Sequence, residues 1–105
     1  MEKKYDVVLL PAASEDLDEL FEYILLDNPS AAEDMLTKIM ASLHRLEDFP
    51  NSGVKLTARV LKHYNFRIVI TNPYIAFYRF IDDVVYVYRI LHGSMDYVRV
   101  LKQPE

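Results

Sequence analysis

The side chains able to do acid–base or phosphate chemistry gather in the last third of this sequence: Arg67, Arg79, Arg89, His92, Asp96, Tyr97, Arg99 and Lys102. His92 ends an apolar run and precedes Gly93, which puts it at a strand end, where functional side chains often project. There it could serve as acid or base near neutral pH. The competing reading is a structural histidine bonded to a nearby backbone carbonyl, and one histidine alone favours it. Arg67 and Arg89 lie inside apolar runs, and an arginine within a sheet needs a partner. Phosphate, Asp96 or a carboxylate of a bound protein would each serve, internal pairing being the commoner solution. Tyr64, Tyr74, Tyr78, Tyr86 and Tyr88 could form a base-stacking platform. Tyrosine is equally a favoured sheet residue and interface anchor, and packing is the preferred reading here.

Other chemistries find little support. His44, His63 and His92 share no ligand-like spacing, so no metal is expected. Two glycines leave no phosphate-binding loop, and no serine stands in a nucleophile-elbow context. The absence of cysteine excludes disulfides and thiolate catalysis and leans toward a cytoplasmic location. No cofactor is implied. No leader and no apolar run near the roughly 20 residues of a membrane helix is visible. Residues 1–51 carry 4 Lys/Arg against 12 Asp/Glu, and residues 52–105 carry 8 against 4, so a net charge of −4 hides a basic second half. That half could still present a positive surface.

The elements that must position these residues follow from periodicity. Residues 4–10 read as a short β-branched strand. Ala13, Leu17, Leu20, Phe21, Ile24 and Leu25 recur at helical spacing, and the intervening acids, Asp16 among them, read as a solvated face. Asn28-Pro29 predicts a cap and first residue for a second helix, whose stripe runs from Ala32 to Leu46 and stops near Phe49-Pro50. So short a connection makes the helices an antiparallel hairpin. Residues 64–71, 74–81 and 84–91 alternate with period two, broken by Asn72-Pro73 and Asp82-Asp83, which predicts an antiparallel meander. Residues 96–101 are a candidate last short strand. The expected fold class is α+β: an N-terminal strand and a helical hairpin packed on a three- to four-stranded, mostly antiparallel sheet, as one domain over residues 1–105.

A two-residue turn at Asp82-Asp83 pairs Ile81 with Val84 and Arg79 with Tyr86, then Phe77 with Tyr88 and Ala76 with Arg89. One face then carries Ile75, Phe77, Arg79, Ile81, Val84, Tyr86, Tyr88 and Ile90. The other carries Tyr74, Ala76, Tyr78, Phe80, Val85, Val87, Arg89 and Leu91. Both are strongly apolar. One covers the helices, and the other is expected to meet a partner chain in preference to cover by residues 50–63 and the C-terminal segment.

The order of these pieces resembles the ParE/RelE superfamily of toxins from type II toxin–antitoxin pairs. The resemblance rests on Ala13…Asp16-Leu17…Glu22-Tyr23-Ile24 and on Phe49-Pro50-Asn51-Ser52-Gly53. It rests further on Tyr78-Arg79, Asp82-Asp83-Val84-Val85-Tyr86-Val87 and the ending Arg89-Ile90-Leu91-His92-Gly93-Ser94-Met95-Asp96. It covers nearly the whole chain and implies a cognate antitoxin as partner, in a toxin–antitoxin hetero-oligomer. RelE-like members cut messenger RNA on the ribosome, which here would call on Arg67, Arg89, His92 and Tyr97. ParE-like members poison DNA gyrase without cutting RNA. Ser94-Met95 stands where many relatives carry two arginines, and Val69 stands near the place of a RelE-type catalytic arginine. The ParE-like branch is therefore the expected one, with Arg89, His92, Ser94, Met95, Asp96 and Tyr97 as candidate target contacts and no confident catalytic residue. A ribosome-dependent endoribonuclease is the alternative, and a non-toxic relative that only binds its antitoxin is a third.

Overall fold

The structure, a computed structural model, describes residues 4–102. The elements in order are β1 (Asp6–Leu9), α1 (Pro11–Asp27), α2 (Pro29–Arg45), β2 (Val54–Lys55), a 3₁₀ turn (Arg59–Tyr64), β3 (Arg67–Thr71), β4 (Tyr74–Ile81), β5 (Val84–His92) and α3 (Tyr97–Leu101). The α+β class is as expected. The sheet is larger than the meander alone, with five strands in the order β1-β5-β4-β3-β2. β1 joins it parallel to β5, and the remaining pairs are antiparallel. Among the described residues no helix is long and apolar enough to cross a membrane.

Proline opens both long helices, where its missing N–H costs nothing. Asn28 ends α1 and caps α2, its side-chain oxygen accepting from Ala31 N at 3.1 Å. α1 buries Ala13 and Leu20, with Leu17 and Ile24 beside them, and α2 buries Ala32, Ile39 and Leu43. These stripes lie on one sheet face, against Tyr74, Ala76, Tyr78, Val85, Val87 and Ile90. Leu56, Leu61 and Phe66 form a second core on the opposite face with Phe77 and Leu91, joined by Tyr88, Tyr97, Val100 and Leu101. On β4 the successive residues Phe77 and Tyr78, 1% and 0% exposed, therefore anchor different cores.

Four expectations are corrected. The second face is packed largely by this chain's own residues 56–66 and α3, so it is not the bare apolar surface expected. Residues 97–101 form a helix, not a strand: Asp96 accepts from Arg99 N at 3.3 Å, and Tyr97, Val100 and Leu101 meet the second core at helical spacing. Residue 64 belongs to the 3₁₀ turn, so β3 starts only at Arg67.

The fourth concerns the β4–β5 register. It runs as expected from the turn to Tyr78↔Val87, and both turn aspartates have positive φ, 50° and 66°, as a two-residue hairpin turn requires. Then β5 bulges: Phe77 pairs with Arg89, not Tyr88, and Ala76 with Ile90, not Arg89. The extra residue shifts the alternation by one. Ile90 and Leu91 exchange faces, so β5 places Val85, Val87 and Ile90 toward the helices.

Candidate functional site

β1 pairs with β5 only as far as Val87, where Leu10 N donates to the Val87 carbonyl at 3.0 Å. The next stretch of β5 meets α1 instead. Asp16 accepts from Arg89 Nε at 2.7 Å and Nη2 at 2.8 Å, and also from Ile90 N at 2.9 Å. One carboxylate thus caps an open strand edge and neutralises a guanidinium, in the two-pronged geometry that makes such pairs strong. Asp16 is not part of a solvated face as its neighbours suggested; its side chain is 9% exposed. The internal partner of Arg89 is Asp16, not Asp96. A bulge and a contact between residues 73 positions apart leave no local sequence signal.

Beyond Arg89 the strand runs into an open groove of about 670 Å³ between α1 and the segment after β5. Leu20, Tyr23 and Tyr74 supply apolar and aromatic wall, and His92, Ser94 and Met95 supply the far rim. Tyr23 is 75% and Met95 49% exposed. Burial, with Tyr23 adding to it, pushes the Tyr74 phenol above its ordinary value. Leu20 and Tyr74 were read from sequence as core and packing residues, and Tyr23 only as part of the family motif; the helical stripe and strand alternation carry no mark of the groove they line.

The turn that carries His92 is tightly held. Gly93 N donates to the Pro73 carbonyl at 2.8 Å and Met95 N to the His92 carbonyl at 3.0 Å. Ser94 N donates to His92 Nδ1 at 3.1 Å, and the Ser94 hydroxyl lies 2.8 Å from the same nitrogen. A backbone N–H fixes Nδ1 as acceptor, so a neutral ring carries its proton on Nε2. His92 thereby presents a donor to its surroundings, not a free base nitrogen. The Tyr74 ring stands edge-on to it at 5.6 Å.

The other candidates point elsewhere. Arg67 Nη1 donates to the Gly53 carbonyl at 2.9 Å, beside the buried Tyr78 hydroxyl. Tyr97 stacks on Phe77 at 5.3 Å, on the sheet face away from the helices. Asp96 is occupied as the cap of α3. Arg67 is level with Tyr78 on β4, and His92 with Tyr74. Those positions lie roughly 13 Å apart along the sheet and roughly 10 Å across it. Arg89, His92, Ser94 and Met95 therefore share one groove, Asp96 and Tyr97 begin the helix after it, and Arg67 lies outside. Among the described residues no group of three His, Asp or Glu side chains is placed to hold a metal.

Comparisons with known proteins agree with this architecture. No curated protein matches the chain. A solved structure described as the chromosomal ParDE TA system from P. aeruginosa is similar in fold, with a TM-score of 0.71 at 18% identity, over 85% of this chain and 96% of that one. One family model, described as the ParE toxin of type II toxin-antitoxin system, parDE, matches residues 7–97. That span takes in all of the sheet but Asp6, both long helices and the turn after β5, so the chain belongs to the ParE toxin family.

Proposed function

We propose that this protein is a cytoplasmic toxin that inhibits DNA gyrase by binding it, and that a cognate antitoxin neutralises it in a toxin–antitoxin complex. The observation that carries the reading is the dispersal of the would-be nuclease residues. Cleaving RNA through the ribose hydroxyl needs cations around one phosphate and a base beside it. Here Arg67 and Arg89 are held by Gly53 and Asp16, Tyr97 is stacked on Phe77, and His92 offers a donor. The groove at the end of β5 instead combines exposed Tyr23 and Met95 with the fixed His92–Ser94 turn, the composition of a protein-binding surface. Membership of the ParE family supports gyrase as the protein bound.

The purified protein should block gyrase supercoiling in vitro, and primer extension on translated messages should show no new ends during growth arrest. Full supercoiling activity together with new cleavage ends at ribosome-bound messages would transfer the protein to the endoribonuclease reading. Harmless expression of soluble protein without antitoxin would leave only the non-toxic one.

A further inference from the structure

The three sheet arginines are not equally satisfied. Arg89 has its carboxylate and Arg67 a carbonyl. Among the described residues Arg79, on β4, reaches only the Tyr88 hydroxyl, at 3.2 Å from Nη1, with its guanidinium carbon 5.8 Å from the centre of that ring. Its Nε is shut off from solvent and has no hydrogen-bond partner among the described residues. No ion pair reaches Arg79 among the described residues. A shielded donor on a permanently charged group is costly to leave unmade.

Arg79 opens into a cavity of about 610 Å³ on the sheet face away from α2. Tyr64, Phe66, Tyr88 and Leu101 form apolar walls; Arg89 also lines the cavity, its fork turned to Asp16, and Lys102 adds a further cation at the end of α3. The one acid on the lining, Glu15, is exposed on α1 and does not pair with Arg79. The geometry points to a carboxylate-binding pocket. We infer that it takes an aspartate or glutamate flanked by apolar residues, presented by the antitoxin segment that covers the toxin. Arg79 supplies the fork, Lys102 the supporting charge, and the aromatic walls take the apolar neighbours. A nucleic-acid backbone fits less well. Its phosphates repeat, whereas the pocket offers one open fork, and α1 beside it carries Glu15, Asp18, Glu19 and Glu22.

The choice of the antitoxin as occupant rests on the toxin–antitoxin reading; the pocket chemistry does not, and the test separates them. The Arg79 Nε–H resonance can be followed by NMR during titration with acetyl-Leu-Glu-Leu-amide, its Gln counterpart, and a single-stranded oligonucleotide. The expected result is a saturable shift with the Glu peptide, at least about tenfold weaker with the Gln peptide, and, followed through the backbone amides of Tyr88 and Leu101, lost in folded Arg79→Gln. Equal binding of the two peptides, or saturation by the oligonucleotide at lower concentration, overturns the pocket. In a second arm, Arg79→Gln should weaken the complex with the co-purified antitoxin by roughly thirtyfold or more, Arg79→Lys by less. Unchanged antitoxin affinity in a folded Arg79→Gln protein overturns the occupant while leaving the antitoxin reading intact. Failure of the wild-type chain to bind any antitoxin overturns that reading, and with it the occupant, but not a carboxylate preference seen with peptides.

Discussion

Asp16 on α1 and Arg89 on β5, 73 residues apart, are joined by two parallel hydrogen bonds of 2.7 and 2.8 Å, and the same carboxylate takes the Ile90 N–H. This cluster fixes the first helix to the strand at the head of the candidate groove. It ties fold stability to site geometry.

Asp16→Ala should therefore cost about 2–4 kcal/mol, because it leaves a half-buried guanidinium and a strand N–H without their acceptor. Urea titration measures this. Asp16→Ala combined with Arg89→Met should recover part of the loss, since the stranded charge is then gone. A double variant as unstable as the sum of the singles would contradict the account.

Tyr78 makes a separate prediction. Its hydroxyl accepts from Gly53 N at 2.9 Å and donates to the Pro50 carbonyl at 2.8 Å, fastening residues 50–53 to the sheet. Tyr78→Phe should cost about 1–3 kcal/mol through the two groups left unmet. Gly53→Ala should be destabilising by about 1–3 kcal/mol as well, because a Cβ there would overlap the Tyr78 side chain and lie 2.8 Å from the Ile68 carbonyl oxygen.

The same phenol gives stability a pH dependence. Burial raises its pKa above the ordinary 10.0, against weaker opposing pulls from the Gly53 N–H and Arg67. The folded state holds this proton more tightly than the unfolded chain does. Its contribution is complete below about pH 10 and is lost as pH rises from there through the folded value. Denaturant midpoints should fall as pH rises above about 10, and less steeply in Tyr78→Phe. Equal slopes would remove Tyr78 as the source.

For the target contact, His92→Ala and Met95→Ala should each reduce inhibition of gyrase supercoiling at least about tenfold. Both side chains are exposed; Met95→Ala should change stability by no more than about 0.5 kcal/mol, and His92→Ala, which also removes the acceptor of the Ser94 N–H, by about 1 kcal/mol. Wild-type potency in both variants would remove the groove rim from the interface. Point substitutions are the cleaner test here. Deleting everything after Leu91 also strips Tyr97, Val98, Val100 and Leu101 from the second core.

The two long helices and the β4–β5 hairpin were legible because they rest on local signals: Asn28-Pro29 capping, a stripe at three- and four-residue steps, and the turn at Asp82-Asp83. The order of elements and the sequence His92 to Asp96 were enough to suggest the family. What stayed hidden is non-local. The parallel pairing of β1 with β5 and the Asp16 contact close long loops. The bulge at Tyr88 breaks a period-two pattern without a glycine to announce it. Residues 96–101 alternate well enough for a strand, yet the Asp96 cap and packing on Phe77 decide for helix. The groove itself was half visible: its rim was read from the ending, its α1 wall was not.

Phe77 and Tyr78 sit next to each other on β4, yet each closes a different core. Neither side of the sheet can come apart without disturbing the strand that supports the other. The backbone amides of β4 should accordingly be the last to exchange with solvent deuterium, at rates set by opening of the whole molecule. Those near Ser94 and Met95 should exchange through small local fluctuations.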